Sequence, residues 1–320
     1  MKTSANDYLI GDPHMGRDFK GVPLHRKGER EKSQLDDLRR HLSQDCRMNI
    51  NVGDVFDKPL VDLKVVHAVA DLYHEASAAH PDVQFVVLAG NHDLFRQLVD
   101  KEGRPLKGSF HALARMIDHL PNVTVLFEPA IINNVGFFPW QWDVPAKDQV
   151  DALGGNYGYA VGHWDLADFG GNVEHLCPVE ALGRHGAAVL YSGHYHVAGD
   201  YPVGNGIVHC TGSMQPYTHG EDPTGNFYRT LTLAELESMD EDEVRNLNLR
   251  VVLAPGETLP DVDCLSIIPM RQGEPEALDL TGDVGLDDFE LSVVLGQKFE
   301  ELEVPETVQN YIREKLGAID

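Results

Sequence analysis

Basic residues are scarce in this chain. Lysine and arginine together number 26, against 51 aspartates and glutamates, which gives a formal net charge of −25. This balance argues against simple, non-specific attraction to nucleic-acid phosphates. Any DNA binding would need local basic patches, divalent cations or a partner protein. The excess of acid is also uneven, because residues 1–220 carry 27 acidic and 19 basic residues, whereas residues 221–320 carry 24 and 7.

Cysteines and long hydrophobic runs are scarce as well. The four cysteines, Cys46, Cys177, Cys210 and Cys264, have no Cys-x-x-Cys spacing. This argues against a thiolate zinc site or a dithiol redox motif and predicts buried, reduced thiols. No apolar run approaches the roughly 20 residues of a membrane span, and the first residues lack the apolar segment of a signal peptide. We therefore expect a cytoplasmic protein with no membrane partner.

Short apolar runs between polar segments predict the secondary structure. Strands are predicted at 8–10, 48–52, 83–89, 123–127, 130–140, 157–161, 187–193, 206–210, 228–233 and 249–253. Helices are predicted at 31–46, 61–79, 109–119, 176–184 and 305–316. Ser109 is the expected cap of its helix, and 123–127 and 130–140 are interpreted as paired strands with a turn at Asn133 and Asn134. A length of 320 residues predicts one large core and a smaller accessory region.

Five polar clusters follow predicted strands, most of them directly after a glycine. Their candidate residues are Asp12 and His14, Asp54 and Asp57, Asn91 and His92, His163, and His194 with His196. Each cluster alone has an ordinary explanation, such as a cap, a turn or a structural histidine. Because loops at the strand ends of layered α/β folds can converge, their joint occurrence predicts a single site.

The chemistry of these side chains points to divalent ions. Carboxylate, imidazole and amide oxygen ligands suit Mn²⁺, with Mg²⁺ as the alternative, rather than thiolate-bound zinc. With so many candidate ligands, two ions that share a carboxylate fit better than one. Two-metal sites, with ions about 3.5–4 Å apart, promote in-line attack on phosphoryl groups. Alternation along an extended chain would direct His194 and His196 to the same ion.

The ordered pattern DxH, GDxxD, GNHD, a later histidine and GHxH resembles the calcineurin-like metallophosphoesterase superfamily over residues 8–196. The resemblance implies an α/β fold, namely a four-layer α/β/β/α sandwich with a small α+β capping domain. It also implies that Asp12, His14, Asp54 and His196 hold one ion, and that Asp54, Asn91, His163 and His194 hold the other. His92 would face the scissile phosphate as a catalytic residue. Asp93 would orient His92.

Within the superfamily, several segments resemble the recombination nucleases, the nuclease subunits of SbcCD-type complexes and of their tailed-phage counterparts. These segments are Asp12 to Gly16, the basic stretch 15–32, Gly90 to Leu94 and Thr211 to Tyr217. The resemblance implies a manganese-dependent exonuclease and endonuclease subunit for DNA recombination and double-strand-break repair, in a bacterium or a phage. Asp57 departs from archaeal and eukaryotic relatives, which often carry histidine there, tied to exonuclease activity.

The same resemblance divides the chain and implies partners. Residues 1–224 would be the nuclease domain, 225–285 the capping domain, and 286–320 a segment that binds an SbcC-type ABC ATPase with coiled coils, in a complex containing a homodimer. The predicted C-terminal helix presents one apolar side, formed by Val308, Tyr311, Ile312 and Leu316. That side is the candidate ATPase contact, although packing on its own domain explains it equally well.

Candidate phosphate contacts lie in the basic stretch that follows the first cluster. They are Arg17, Arg26, Lys27 and Arg30, with ordinary solvated loop charge as the alternative for each. Two other functions compete with a DNA nuclease. A small-substrate phosphodiesterase or protein phosphatase of the same superfamily would suit the acidic net charge. A non-catalytic scaffold with this fold would be expected to have lost ligands, and here every ligand position is present.

Overall fold

Three β-sheets carry the fold within the residues that the structure, a computed structural model, describes: 1–96, 101–102, 104, 106–167 and 171–271. The strands are β1 (Tyr8–Ile10), β2 (Met48–Asn51), β3 (Gln84–Leu88), β4 (Val123–Leu126), β5 (Ala130–Ile132), β6 (Val135–Phe138), β7 (Tyr159–His163), β8 (Leu190–Gly193), β9 (Gly199–Val203), β10 (Gly206–Cys210), β11 (Tyr228–Thr232), β12 (Asn248–Leu253) and β13 (Ser266–Arg271). The helices are α1 (Glu29–Leu42), α2 (Leu63–Ala79), α3 (Ser109–Ile117), α4 (Ala146–Leu153), α5 (Val179–Arg184), α6 (Leu233–Ser238) and α7 (Glu241–Val244). The fold is mixed α/β.

The first sheet is entirely parallel, in the order β1-β2-β3-β4. Its strands are short apolar runs because both faces are covered. Alternate residues of β3 point to opposite faces, so Phe85 packs with α1, α2 and α3 side chains, whereas Val86 packs toward the second sheet. Because the four strands are parallel, all of them present their carboxyl ends at the same edge of the sheet.

The second sheet has the order β5-β6-β7-β8-β10-β9, with parallel pairing from β6 to β10 and an antiparallel strand at each edge. Its outer face packs on α4 and α5 through Phe138, Val150 and Leu182. Its inner face contributes Phe137 and Val161 to a buried apolar cluster shared with the first sheet. Because this cluster joins the sheets, the ends of β7 and β8 are brought near those of β1, β2 and β3.

Two local predictions were wrong. β4 pairs with β3 in the first sheet, whereas β5 pairs with β6 in the second, so the two predicted partner strands lie in different sheets. Strand composition alone does not determine which sheet a strand joins. The turn at Asn133 and Asn134 is confirmed within the β5–β6 hairpin, with φ of 50° and 65°. Ser109 is not a cap, because Gly108 occupies that position and the Ser109 hydroxyl accepts a hydrogen bond from Val61 N at 2.9 Å.

The third sheet contains β11, β12 and β13, all parallel, with α6 and α7 packed against it through a separate apolar cluster. A capping box between Thr232 and Glu235 begins α6. The four cysteines are buried and reduced, as predicted. No helix in the described ranges has the length and hydropathy of a membrane span. The predicted partner-binding side chains, Val308, Tyr311, Ile312 and Leu316, lie outside the described residues.

Candidate metal centre

Loops from both sheets meet at the carboxyl ends of the parallel strands. The carboxylate of Asp12, after β1, accepts a hydrogen bond from the backbone of His194, after β8, at 2.8 Å. The ring of His163, at the end of β7, donates from Nδ1 to the carbonyl oxygen of Val52, after β2, at 3.0 Å. These bonds link strand ends that are distant in sequence, and the predicted ligands therefore lie together.

The first group of candidate ligands is buried. One ligand atom from each of Asp12, His14, Asp54 and His196 lies within 4.8 Å of all the others. The Nε2 atoms of His14 and His196 are 2.9 Å apart. His196 Nε2 lies 3.6 Å from Asp12 Oδ2, and His14 Nε2 lies 3.8 Å from Asp54 Oδ2. Two carboxylates and two imidazoles thus converge on one point.

The second group shares Asp54 with the first. One ligand atom from each of Asp54, His163 and His194 also lies within 4.8 Å of the other two. The amide oxygen of Asn91 lies 2.9 Å from His163 Nε2 and 3.0 Å from His194 Nδ1. His163 Nε2 is also 3.3 Å from Asp54 Oδ2. All seven predicted ligands are therefore brought together, with Asp54 common to the two groups.

Three of these residues have a left-handed backbone. The φ angles of His14, Asp54 and His194 are 45°, 50° and 74°, a conformation that is uncommon for non-glycine residues. At His194 the turn follows directly on the last residue of β8, so strand alternation does not continue through the motif. His194 accordingly lies with the second group and His196 with the first. The two histidines do not converge on one point, as simple alternation would have suggested.

Close packing around the carboxylates requires glycine at two positions. A Cβ atom on Gly90 would overlap the Asp54 carboxylate and backbone. A Cβ atom on Gly193 would lie 2.6 Å from Asp12 Oδ1. These glycines let one loop approach the acidic ligand of another.

Electrostatics within the two groups depend on burial and on neighbouring charges. Burial raises the pKa of Asp12 to about 6, against the lowering effect of His163. Burial raises the pKa of Asp54 too, but His163 and His92 together hold it well below its usual range. Burial lowers the pKa of His163, but Asp54 and Asp12 outweigh this effect and raise it to about 10. Burial holds the pKa of His14 well below its usual range, which favours the neutral form that ligates metals.

One buried carboxylate oxygen without a hydrogen-bond partner shows whether these residues fit a cation. Asp12 Oδ1 is buried and has no hydrogen-bond partner among the described residues. Leaving such an acceptor unsatisfied costs about 1–3 kcal/mol or more. A divalent cation would satisfy it, and the donor set of carboxylate, imidazole and amide oxygen suits such an ion. The residues present therefore fit a divalent metal.

The neighbouring residues His92 and Asp93 make different contacts. The ring of His92 is half-buried, packs edge-on against His14, and donates from Nδ1 to the carbonyl oxygen of Asp57 at 2.8 Å. Asp93 is buried and accepts hydrogen bonds from the backbone amides of Gly90, Val55 and Phe56 at 2.9–3.1 Å. Asp93 thus fixes the loops after β2 and β3, whereas the backbone carbonyl oxygen of Asp57 accepts from the His92 ring.

Two arginines from the predicted phosphate contacts are buried. Arg26 donates to Glu29 at 2.6 Å and to a backbone carbonyl at position 245. Arg30 donates to Asn248 Oδ1 and, at 3.2 Å, to the Tyr228 hydroxyl. Their guanidinium groups join α1 and the segment before it to the third sheet. This burial removes both from any surface that DNA could reach.

The other two basic candidates are more accessible. Arg17 is half-buried, lies over the ring of Tyr217 and pairs with Asp57 Oδ1 at 3.1 Å. Asp57 Oδ1 also lies 3.7 Å from His14 Nδ1, which places Arg17 next to the first group. Lys27 is exposed.

Two carboxylates near the histidines were not predicted. Asp165 Oδ1 lies 2.6 Å from His194 Nε2, and Glu221 Oε1 lies 3.3 Å from His196 Nδ1. Asp165 could have been found in the sequence, since it stands two residues after His163 in the same strand exit. No sequence pattern singles out Glu221, because it lies in an acidic region 25 residues after His196.

Comparison with known proteins gives one family match. The sequence-family model of the calcineurin-like phosphoesterases matches residues 8–198 of the chain. Among curated proteins, none matches the chain detectably. The matched span contains both groups of candidate ligands.

Proposed function

This chain belongs to the calcineurin-like phosphoesterase family, whose members hydrolyse phosphoesters, and we propose that it is a manganese-dependent DNA nuclease subunit for recombination and double-strand-break repair. The observation that carries the proposal is the contact between two segments that resemble recombination nucleases. Tyr217 donates its hydroxyl proton to the carbonyl oxygen of Pro13, and Met214 N donates to Asp12 O at 3.0 Å. Both segments line the first ligand group.

Metallophosphoesterases use divalent metal ions, and this chain has a buried cluster of suitable ligands. The first ion would be held by Asp12, His14, Asp54 and His196, and the second by Asp54, Asn91, His163 and His194. We propose Mn²⁺ for both, with Mg²⁺ as the alternative. When bound, such ions neutralise phosphate charge and make water a stronger nucleophile.

His92 is the catalytic residue in this proposal. Its Nδ1 donates a hydrogen bond to the Asp57 carbonyl oxygen. Nε2 is therefore the ring atom that would exchange a proton with substrate. Protonated Nε2 would stabilise charge on the phosphate or protonate the leaving oxygen. Asp93 supports this geometry through the loop backbone, and Arg17 lies close enough to the first group to contact an adjacent phosphate.

The proposed architecture is a four-layer α/β/β/α sandwich with a capping domain. Its support is the sequence of apolar clusters, one between the helices α1–α3 and the first sheet, one between the two sheets, and one between the second sheet and the helices α4 and α5. The third sheet and its helices would form the capping domain, within residues 225–285. We propose further that the chain forms a homodimer that binds an SbcC-type ATPase through residues 286–320.

A small-substrate phosphodiesterase or protein phosphatase is the second candidate. The net charge of −25 favours it, since strongly acidic proteins repel nucleic acid. Exposed Lys27 and the Arg17 next to the ligand group favour DNA. A scaffold without catalysis is disfavoured because both ligand groups are intact.

The test is a substrate panel with Mn²⁺: linear double-stranded DNA, single-stranded DNA, a cyclic nucleotide and a phosphopeptide, with and without the ATPase and ATP. We expect hydrolysis of DNA. Turnover of the cyclic nucleotide or phosphopeptide without any DNA cleavage would instead establish the second candidate.

Replacement of His92 by alanine tests its role. We expect DNA cleavage to fall by about 10²- to 10⁴-fold, with Mn²⁺ affinity unchanged, because His92 is outside both ligand groups. His119→Ala, at an exposed histidine, is the control. Full activity of the His92→Ala protein would eliminate the assigned role.

A further inference from the structure

Each histidine of the His194-Tyr195-His196 motif lies between a ligand group and a carboxylate behind it. Asp165 Oδ1 lies 2.6 Å from His194 Nε2, and the two side chains are 10% and 15% exposed. Glu221 Oε1 lies 3.3 Å from His196 Nδ1, and these side chains are 7% and 5% exposed. Neither carboxylate belongs to the groups that could hold metal.

The two rings are oriented in opposite ways. His194 directs Nδ1 to the second group, 3.0 Å from Asn91 Oδ1, and Nε2 to Asp165. His196 directs Nε2 to the first group, 2.9 Å from His14 Nε2, and Nδ1 to Glu221. The left-handed turn at His194 allows this, because it ends the regular alternation of the strand.

Backbone and hydroxyl donors hold Asp165 and Glu221 in place. Asp165 Oδ2 accepts from the amide of Asn172 at 2.9 Å. Glu221 Oε2 accepts from the Ser213 hydroxyl at 3.0 Å and from the Tyr217 amide at 2.8 Å. In each carboxylate one oxygen therefore accepts from fixed donors and the other faces a histidine. The histidine-facing oxygen of Glu221 also accepts from the Thr218 hydroxyl at 3.1 Å.

We propose that Asp165 and Glu221 are positioning residues that fix His194 as an Nδ1 ligand and His196 as an Nε2 ligand. An ionised carboxylate can only accept, and it attracts a ring proton more strongly than a neutral acceptor such as the Asn91 amide oxygen near His194 Nδ1. In a neutral imidazole the nitrogen beside the carboxylate therefore carries the proton, and the opposite nitrogen keeps its lone pair. Such partners orient ligating histidines and increase their basicity. The inference rests on the metal-ligand roles in the proposed function, and it explains how two histidines separated by one residue reach different ions.

The variants Asp165→Asn and Glu221→Gln test the proposal with almost no change of shape. Because the Asn172 amide donates to one side of residue 165, the amide oxygen of Asp165→Asn would stay on that side and its NH₂ would face His194. The same reasoning applies to Glu221→Gln, whose oxygen would stay with Ser213 and Tyr217. Each NH₂ would require a lone pair on the facing ring nitrogen, which moves the proton to the metal side.

Two readouts follow, and neither depends on activity. In the metal-free full chain at pH 8, nitrogen NMR of labelled histidines should show His194 protonated at Nε2 and His196 at Nδ1, with each variant reversing the tautomer of its own histidine. Calorimetric titration with Mn²⁺ should show an affinity loss of about 10- to 100-fold in each variant.

The control is Asp222→Asn, since Asp222 is the neighbour of Glu221 and instead accepts from the amides of Phe227 and Tyr228. Its Mn²⁺ affinity should equal that of the unsubstituted chain. Unchanged tautomers and unchanged Mn²⁺ affinity in both histidine-facing variants would overturn the proposal. If either variant fails to fold, the histidine tautomers of the unsubstituted chain test the proposal. Protonation of His194 at Nδ1 or of His196 at Nε2 in that chain would refute it. Loss of DNA cleavage alone would bear only on the proposed function.

Discussion

A left-handed backbone at three predicted ligands shows how the site is held at the scale of single residues. Such a conformation costs a non-glycine residue about 1–3 kcal/mol. Hydrogen bonds compensate for it: His14 N donates to Asp54 O at 2.9 Å, His92 N to Asp54 Oδ1 at 2.9 Å, and His194 N to Asp12 Oδ2 at 2.8 Å. Two of these bonds go to the carboxylates that would bind metal, and the third goes to the backbone carbonyl of Asp54.

His41, away from the ligand groups, provides a pH-dependent prediction. Burial, together with Arg40, lowers the pKa of His41 to about 4, whereas an unfolded histidine titrates near pH 6.5. The folded state therefore binds fewer protons than the unfolded state between these values. Stability is fully present above about pH 6.5 and is lost as pH falls toward 4.

We expect His41→Phe to reduce this loss, so that the difference in unfolding free energy between pH 7 and pH 4.5 is smaller in the variant. Urea unfolding at both pH values measures it. Equal pH dependence in the two proteins would contradict the prediction. Tyr8→Phe, which removes the hydroxyl that lies 2.6 Å from His41 Nδ1 and keeps the titrating ring, is the control.

At the scale of elements, the strand-to-loop exits determine the site, and glycines make the close approach of the loops feasible. Gly90→Ala should weaken Mn²⁺ binding and destabilise the protein by about 1–3 kcal/mol, because its methyl group would overlap Asp54. Gly183→Ala, in helix α5, is the matched control. An added Cβ there meets no atom within 4 Å, so we expect stabilisation of about 0.5–1 kcal/mol.

Thermal unfolding and Mn²⁺ titration of both variants check this pair. If Gly90→Ala bound Mn²⁺ as tightly as the unsubstituted chain, the loop after β3 would not be constrained by Asp54.

The elements differ in how far the sequence predicts them. Strands that end at glycine-rich exits were predicted close to their observed positions, since each exit is encoded locally. The short strands β9 and β13 were not predicted. The predicted pairing partner of β4 was wrong, because tertiary packing determines which strands pair. Glu221 was missed for the same reason, since only the fold brings it to His196.

At the scale of the whole molecule, buried arginines join the third sheet to the rest of the described chain. Sequence alone favoured Arg26 and Arg30 as surface cations because nothing local indicates burial. Arg30→Ala would remove the guanidinium that bonds Asn248 and Tyr228. We expect a stability loss of about 1–3 kcal/mol and faster hydrogen exchange in β11 and β12.

Hydrogen-exchange mass spectrometry measures that effect, and Lys27→Ala, at an exposed position two residues before helix α1, is the control. Unchanged exchange in β11 and β12 of the Arg30→Ala protein would show that the third sheet is held by other contacts.

In the function we propose, the two ligand groups that share Asp54 hydrolyse DNA with Mn²⁺. The most direct test is cleavage of end-labelled linear duplex DNA by the unsubstituted chain and by Asp54→Asn, side by side. We predict Mn²⁺-dependent cleavage by the first and its loss in the second, since one substitution weakens both groups. Cleavage by Asp54→Asn at the rate of the unsubstituted chain would contradict the account.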